Sequence, residues 1–245
     1  MEDLVIGSDR LTVTVTYSRR RTVRIRVAAA DRIEVAAPLR FPEAEVAALL
    51  RGREAWIARQ RAKLAAVAAN PVNAAAEPGA KLLYLGLARQ LTVLWGGVGR
   101  AEVTVEDERI FARLPAVSAA EQATALAAAL RHWYVEQARA VLTERTAQWA
   151  EVLGVRPLRI FIREQKSRWG SCSSRGNVNY NWRVVMAPPA VVDYLVIHEL
   201  CHMREANHSA AFWRLVEAAD PDYREHRKWL RSHGALLTRL FADDG

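Results

Sequence analysis

Histidines stand at positions 198, 202 and 208, with a glutamate at 199, in the segment HELCHMREANHSAAFW. On a helix turning about 100° per residue, His198 and His202 are one turn apart and differ by only about 40° in direction. Two neutral imidazoles so placed can share one small cation, and Glu199 puts a carboxylate beside the next coordination position. Three protein ligands leave room for a water, whose pKa a divalent ion lowers toward about 7. Glu199 would accept that proton and pass it to a leaving group. The predicted chemistry is metal-assisted hydrolysis with one zinc ion, although manganese or nickel would suit the same donors.

His208 is the third candidate ligand. In a continuous helix it would lie about 9 Å beyond His202 along the axis. It returns to the metal only if the helix stops near residues 204–206 and the chain bends, for which Asn207 tolerates a left-handed backbone. The spacing fits the pattern HExxHxxGxxH, except that Glu205 occupies the glycine position. Cys201, between the ligand histidines, reads better as a small buried apolar residue than as a thiolate ligand, and Cys172 likewise. His132, His226 and His233 are isolated and read as structural, His226 being the best placed to join the site. Asp193, Glu217 or Asp220 are candidates to orient a ligand histidine. Tyr180, Tyr223 and Arg168 are candidate donors to a developing oxyanion. Asn177 to Asn181, with Asn177 and Asn179, are a candidate strand for pairing with an extended peptide.

These residues need elements to hold them. LTVTVTY, TVRIRV and RIEVAAP alternate apolar with polar residues, predicting half-buried strands joined as hairpins around Arg19-Arg20-Arg21. A single helix is predicted from Pro42 to about Val67, with punctuation at Asn70-Pro71 and Glu77-Pro78-Gly79. A second strand group runs from Lys81 to Leu114, turning at Gly96-Gly97 and Glu106-Asp107. Ser118 reads as the N-cap of a long helix that carries Leu126, Leu130, Trp133, Val141 and Trp149 and stops at Gly154. PLRIFIRE is a predicted strand, and RWGSCSSRGNVNYN a hairpin turning at Arg175-Gly176. A helix over AVVDYLVIHELCHMRE and two short ones, from Phe212 and from Tyr223, complete the chain. No internal repeat is visible. The fold class expected is α+β: residues 1–116 a hairpin-rich β region with one long helix, and residues 117–245 a catalytic domain of long helix, antiparallel sheet and HExxH helix.

Composition narrows the function. The chain has 245 residues, a formal charge of +8, and two cysteines, too few for a disulfide-framed secreted scaffold. Its first residues lack the basic and apolar regions of a signal peptide, and no apolar run is long enough to span a membrane, so a cytoplasmic protein is expected. Arg19, Arg20, Arg21, Arg24 and Arg26 form a basic cluster that can grip phosphates. A solvated hairpin face is the plainer account of it.

The stretch from Lys166 to Trp213 resembles the YgjP-like metallopeptidase family, relatives of the SprT-type zincin-like proteins. Arg168-Trp169-Gly170-Ser171-Cys172, Asn181, Pro188, Asp193-Tyr194, HELCH, Asn207-His208 and Phe212-Trp213 carry the likeness. Asp220 to Tyr223 and Trp229-Leu230 extend it, and Trp56-Ile57 and Tyr84 to Gly86 are looser marks. The resemblance implies a zincin-like metal-dependent hydrolase, with His198, His202 and His208 as zinc ligands and Glu199 as base. A peptide bond is the leading target. A nucleotide phosphoanhydride stays open because arginines hold phosphates. So does recruitment of the catalytic half to nucleic acid by the basic N-terminal region.

Overall fold

The computed structural model describes residues 2–6, 9–29, 31–69, 72, 75–165 and 167–241. It contains two compact units, Met1–Asn70 and Pro71–Gly245. The Asn70-Pro71 punctuation lies outside the described residues. The break in compactness falls there rather than near 116, because the second strand group packs on the long helix that follows it.

The first unit holds strands β1 (Glu2–Ile6), β2 (Asp9–Ser18), β3 (Arg24–Val27) and β4 (Arg32–Pro38), then helices α1 (Glu43–Arg51) and α2 (Glu54–Ala69). The sheet order is β1-β2-β4-β3, and β2 runs parallel to β4. The arginine turn therefore does not close a hairpin between the strands that flank it, as the sequence suggested. Alternation settles which face of a strand is buried, but it is blind to the partner. Leu11, Val13, Ile33 and Val35 face Val46, Leu50 and Ile57 in the core of this unit. The single helix expected after Pro42 is broken into two at Gly52-Arg53, where glycine weakens helical propagation.

The second unit opens with β5 (Lys81–Tyr84), β6 (Leu87–Gly97), β7 (Glu102–Glu106) and β8 (Arg109–Pro115). Their order, β5-β6-β8-β7, repeats that of the first sheet, again with its central pair parallel. The registers coincide as well. Ile33 lies between Val13 and Val27 as Ile110 lies between Leu91 and Val105. One four-stranded plan thus occurs twice in a chain whose sequence shows no repeat.

Helix α3 (Ala119–Leu153) begins with a capping box, in which Glu121 Oε2 accepts from Ser118 N–H at 3.2 Å and additionally from the Ser118 hydroxyl at 2.6 Å. It ends at Gly154 with φ 65, as its sequence predicts. Leu126, Leu130, Trp133 and Leu142 form its buried stripe. Then come β9 (Arg159–Arg163), β10 (Gly170–Cys172), β11 (Asn177–Asn181), a 3₁₀ turn over Trp182–Met186, α4 (Pro189–Cys201), α5 (Ala210–Ala219) and α6 (Tyr223–Arg239). The three-stranded sheet is mixed rather than antiparallel: β11 pairs antiparallel with β10 and parallel with β9. The final helix runs well past the expected short segment. No described helix is long and apolar enough to cross a membrane.

Helix α4 is apolar nearly all round, and nine of its residues are buried. Such a helix belongs at the centre of a fold. The β5–β6 turn holds its N-terminal end: Leu85 N–H donates to the Val185 carbonyl at 2.8 Å and Gly86 N–H to Met186 at 3.1 Å. Gly86 has φ 80, and a Cβ there would come within 2.8 Å of Pro188 Cα. Gly86→Ala should therefore cost about 2–4 kcal/mol, combining left-handed strain with a steric clash. Gly79→Ala, at φ 83 with nothing within 4 Å, should lose only the backbone part. Denaturant unfolding of the two variants measures the difference.

Beneath the 3₁₀ turn, the Arg183 guanidinium is buried 4.3 Å over the Trp182 ring and bonds Glu164 at 2.7 Å. Glu164 also pairs with Arg131 of α3. Partial burial pulls the Glu164 pKa upward, but the hydrogen bonds from Arg131 and Arg183 outweigh it and hold the carboxyl below the ordinary range. A depressed carboxyl stabilises the fold above its unfolded pKa, and that stabilisation drains away as pH falls through the folded value. Glu164→Gln should cost about 2–3 kcal/mol at pH 7, by leaving a buried guanidinium uncompensated. The gap from wild type should narrow as urea titrations move below about pH 4.5.

Candidate metal centre

The HExxH segment forms the last turn of α4, with His202 at its C-cap. The helix stops at Cys201, earlier than expected, and the chain turns through Met203 N–H to Leu200 O and Arg204 and Glu205 N–H to Cys201 O, each 3.0 Å. No residue from 202 to 209 has positive φ. Asn207 is not left-handed, so the bend needs no glycine and Glu205 is accommodated. The Glu205 carbonyl instead lies 3.2 Å from His202 Nδ1. A proton on Nδ1 donates to it and leaves the Nε2 lone pair free for a metal. Ser209 caps α5 by accepting from Phe212 N–H at 3.2 Å, and His208 sits just ahead of that cap.

The three histidines converge. One ligand nitrogen from each of His198, His202 and His208 lies within 4.8 Å of the others. His198 Nε2 and His208 Nε2 stand 3.1 Å apart. Two nitrogens about 2.0–2.1 Å from a tetrahedral zinc would be about 3.4 Å apart, so the donors fit such an ion with little movement. His198 Nδ1 is buried without a hydrogen-bond partner among the described residues. Phe212 supports the cluster from below, its ring 5.0, 4.5 and 4.8 Å from those of His198, His202 and His208. Trp213 stacks on His208 at 5.6 Å. Burial, reinforced by His202, His208 and Arg227, pushes the His198 pKa down to about 3, and burial also lowers that of His208. Both imidazoles are thereby kept neutral, as ligands must be.

Glu199 is only 4% exposed. Burial pushes its carboxyl up to about 8, against the pull of Arg168. Its side chain lies over the backbone of Gly170, where a Cβ would meet Oε1 at 2.5 Å. The glycine in RWGSC is thus the space into which the carboxylate fits. A cavity of about 580 Å³ opens here, walled by Arg168, Tyr194, His198, Glu199, Arg227 and Arg231 among others. A buried ionisable group of shifted pKa in such a hollow marks a functional site.

Other expected participants are placed elsewhere. Strand β11 is the central strand of its sheet, so Asn177 to Asn181 have no free edge; the edges are β9 and β10, and β10 is the one that carries Gly170 beside Glu199. Asn177 N–H donates to Ser173 Oγ, and Asn179 Nδ2 lies 3.3 Å from Ser171 Oγ. The fully buried Tyr180 hydroxyl is 3.0 Å from Thr146 Oγ1. Tyr223 stacks on Trp213, at 5.3 Å. Of the three candidate oxyanion donors, only Arg168 lines the cavity. Asp193 bonds Trp149 and Arg145, Glu217 bonds Arg224, and Asp220 bonds His226; none of these contacts is to a ligand histidine. His233 stacks on Trp229, and Cys201 is a buried thiol pushed up to about 11 by burial. Sequence reasoning missed Tyr194, Arg227 and Arg231 as cavity walls. Their one signal was the four-residue spacing of the two arginines, which a solvated helix face shares.

No curated protein matches the sequence. Among solved structures, the chain is similar to the metallopeptidase zymogen abylysin of Pyrococcus abyssi, with 24% identity and a TM-score of 0.34 over 37% of this chain and 92% of that one. It is similar also to the zymogen jannalysin of Methanocaldococcus jannaschii, with 19% identity and a TM-score of 0.32 over 37% and 95%. The profile described as YgjP-like, metallopeptidase domain, matches residues 21–233, which take in both units and every residue of the histidine cluster, and the chain therefore belongs to the YgjP-like metallopeptidase family.

Proposed function

We propose that this chain is a zinc-dependent peptidase of zincin-like design, with His198, His202 and His208 as metal ligands and Glu199 as general base. One observation carries the reading: a desolvated carboxylate shares a cavity wall with His198, one of three convergent imidazoles. A bound zinc ion supplies Lewis acidity, which acidifies a water and polarises a carbonyl. Glu199, held over Gly170, takes the proton of the attacking water and returns it to the departing amine nitrogen. Arg168 offers donors to the oxygen on which negative charge develops. The free edge of β10 lets an extended peptide add as a further strand beside Gly170, in place of the β11 pairing expected from sequence.

The three arginines of the cavity favour one second reading, hydrolysis of a phosphoanhydride at the same centre. A single experiment tests both. Metal content is measured, and wild type and Glu199→Gln are assayed on peptide and nucleotide panels. Glu199-dependent turnover confined to peptides supports the first reading, and turnover confined to nucleotides the second. Stoichiometric zinc with no Glu199-dependent turnover on either panel refutes both.

A further inference from the structure

Several arginines around α4 and its neighbours are matched to a carboxylate. Arg131 and Arg183 share Glu164, Arg145 pairs with Asp193, and Arg224 on α6 pairs with Glu217 at 2.7 Å. Arg227 and Arg231, on the same helix, have no carboxylate partner among the described residues, yet both line the cavity that holds His198 and Glu199. Four residues apart, they project from one face of α6.

Arg227 is also held in place. Its guanidinium carbon lies 4.6 Å over the Trp213 ring, and Trp213 in turn stacks on His208. Stacking occupies the flat face of a guanidinium and leaves its in-plane N–H groups free, the geometry that grips a carboxylate through two parallel bonds. Its charge lies beside the centre, since it shares the cavity wall with His198 and stacks on the ring that packs against His208. Positive charge beside a cation site opposes metal binding. A negatively charged group docking between the two arginines would offset that cost; the wall's own carboxylate, Glu199, lies over Gly170 instead.

Resting on the peptidase reading, we infer that Arg227 and Arg231 form a carboxylate-binding subsite, so that the preferred substrates are peptides carrying a carboxylate next to the scissile bond. An acidic side chain and a C-terminal carboxylate present the same chemistry to these arginines. The pair distinguishes a carboxylate from its neutral amide isostere because a charge-assisted bidentate bond is replaced by weaker single bonds.

The test uses zinc-loaded full-length protein and two peptide sets. In one set, both ends are blocked and each position flanking the scissile bond carries Asp or Glu, or Asn or Gln as control. In the other, neutral peptides carry a free or an amidated C-terminus. The inference expects kcat/KM at least about 10-fold higher for the acid than for its amide in one set, expressed mainly in KM. The set that shows the ratio identifies the source of the carboxylate. Arg227→Gln with Arg231→Gln should bring that ratio near one, and Arg231→Glu should reverse it toward lysine-bearing peptides. Glu199-dependent cleavage with a ratio near one in both sets overturns the subsite and leaves the peptidase reading standing. If no peptide is cleaved, the peptidase reading fails, and the subsite is judged by binding alone. Zinc-loaded Glu199→Gln is then titrated with acetyl-Asp-amide and acetyl-Asn-amide while the arginine Nε–H resonances are followed. Shifts at Arg227 and Arg231 with the acid only support the subsite; equal or absent shifts overturn it.

Discussion

Replacing Glu199 by glutamine should abolish turnover and, in the metal-stripped protein, strengthen the fold. The catalytic part follows from the loss of the only carboxylate among the described residues of the cavity wall: general base catalysis contributes about 10²–10⁴-fold, so kcat should fall at least that far with little change in KM. The stability part follows from burial. With a folded pKa of about 8 against an ordinary 4.5, Glu199 is content when protonated and destabilising when charged. A raised folded pKa means that its contribution is intact below the unfolded value and is lost as pH climbs toward 8. Glutamine carries no charge to desolvate, so the metal-stripped variant should exceed wild type by on the order of 4 kcal/mol at pH 8, and by little at pH 4. Urea unfolding of both proteins across that range gives the answer. A gap that stays constant with pH would mean that Glu199 is better solvated than its packing over Gly170 implies.

His208→Ala should lower zinc affinity by roughly a thousandfold or more, since removal of an outer partner alone costs about 10–100-fold. The loss has two parts. One ligand of three disappears, and the stack of Trp213 on the imidazole disappears with it, which frees the turn between α4 and α5. His226→Ala should leave zinc affinity near wild type, because its imidazole is bound to Asp220 rather than to the cluster. Competition with a chromophoric chelator measures both. Equal affinities for wild type and His208→Ala would leave only the HExxH pair as ligands.

Legibility followed distance along the chain. The histidine cluster was readable because two of its members share one helical turn and the third is six residues on. The limits of α3 were readable because Ser118, Glu121 and Gly154 act on neighbouring backbone. Sheet pairing was not, since Val13 alternates in the same way whether its partner is Ile33 across a parallel crossover or a residue beyond the arginine turn. The cavity was only half readable. Arg168, Arg227 and Glu199 come from distant segments, and which arginines lack a partner becomes visible only when every carboxylate has been placed. Glu205 shows the converse. A glycine was expected from a pattern of letters, but the turn is built from ordinary backbone angles and asks only for a carbonyl facing His202.

The twice-used four-stranded plan gives this chain an internal control that most proteins lack. Val13 and Leu91 hold the same station, as do Ile33 and Ile110, so side chains that differ between stations are differences of occupation rather than of architecture. On the open face, Arg24 and Arg26 of the first copy stand where the second has Glu102 and Thr104. The second copy spends its first hairpin turn bracing the metal-bearing helix through Leu85 and Gly86. Two sheets of one pattern have thus taken up different trades, one as a buttress and the other as a basic surface. Exchanging residues station by station between them would separate what the pattern requires from what each trade has added.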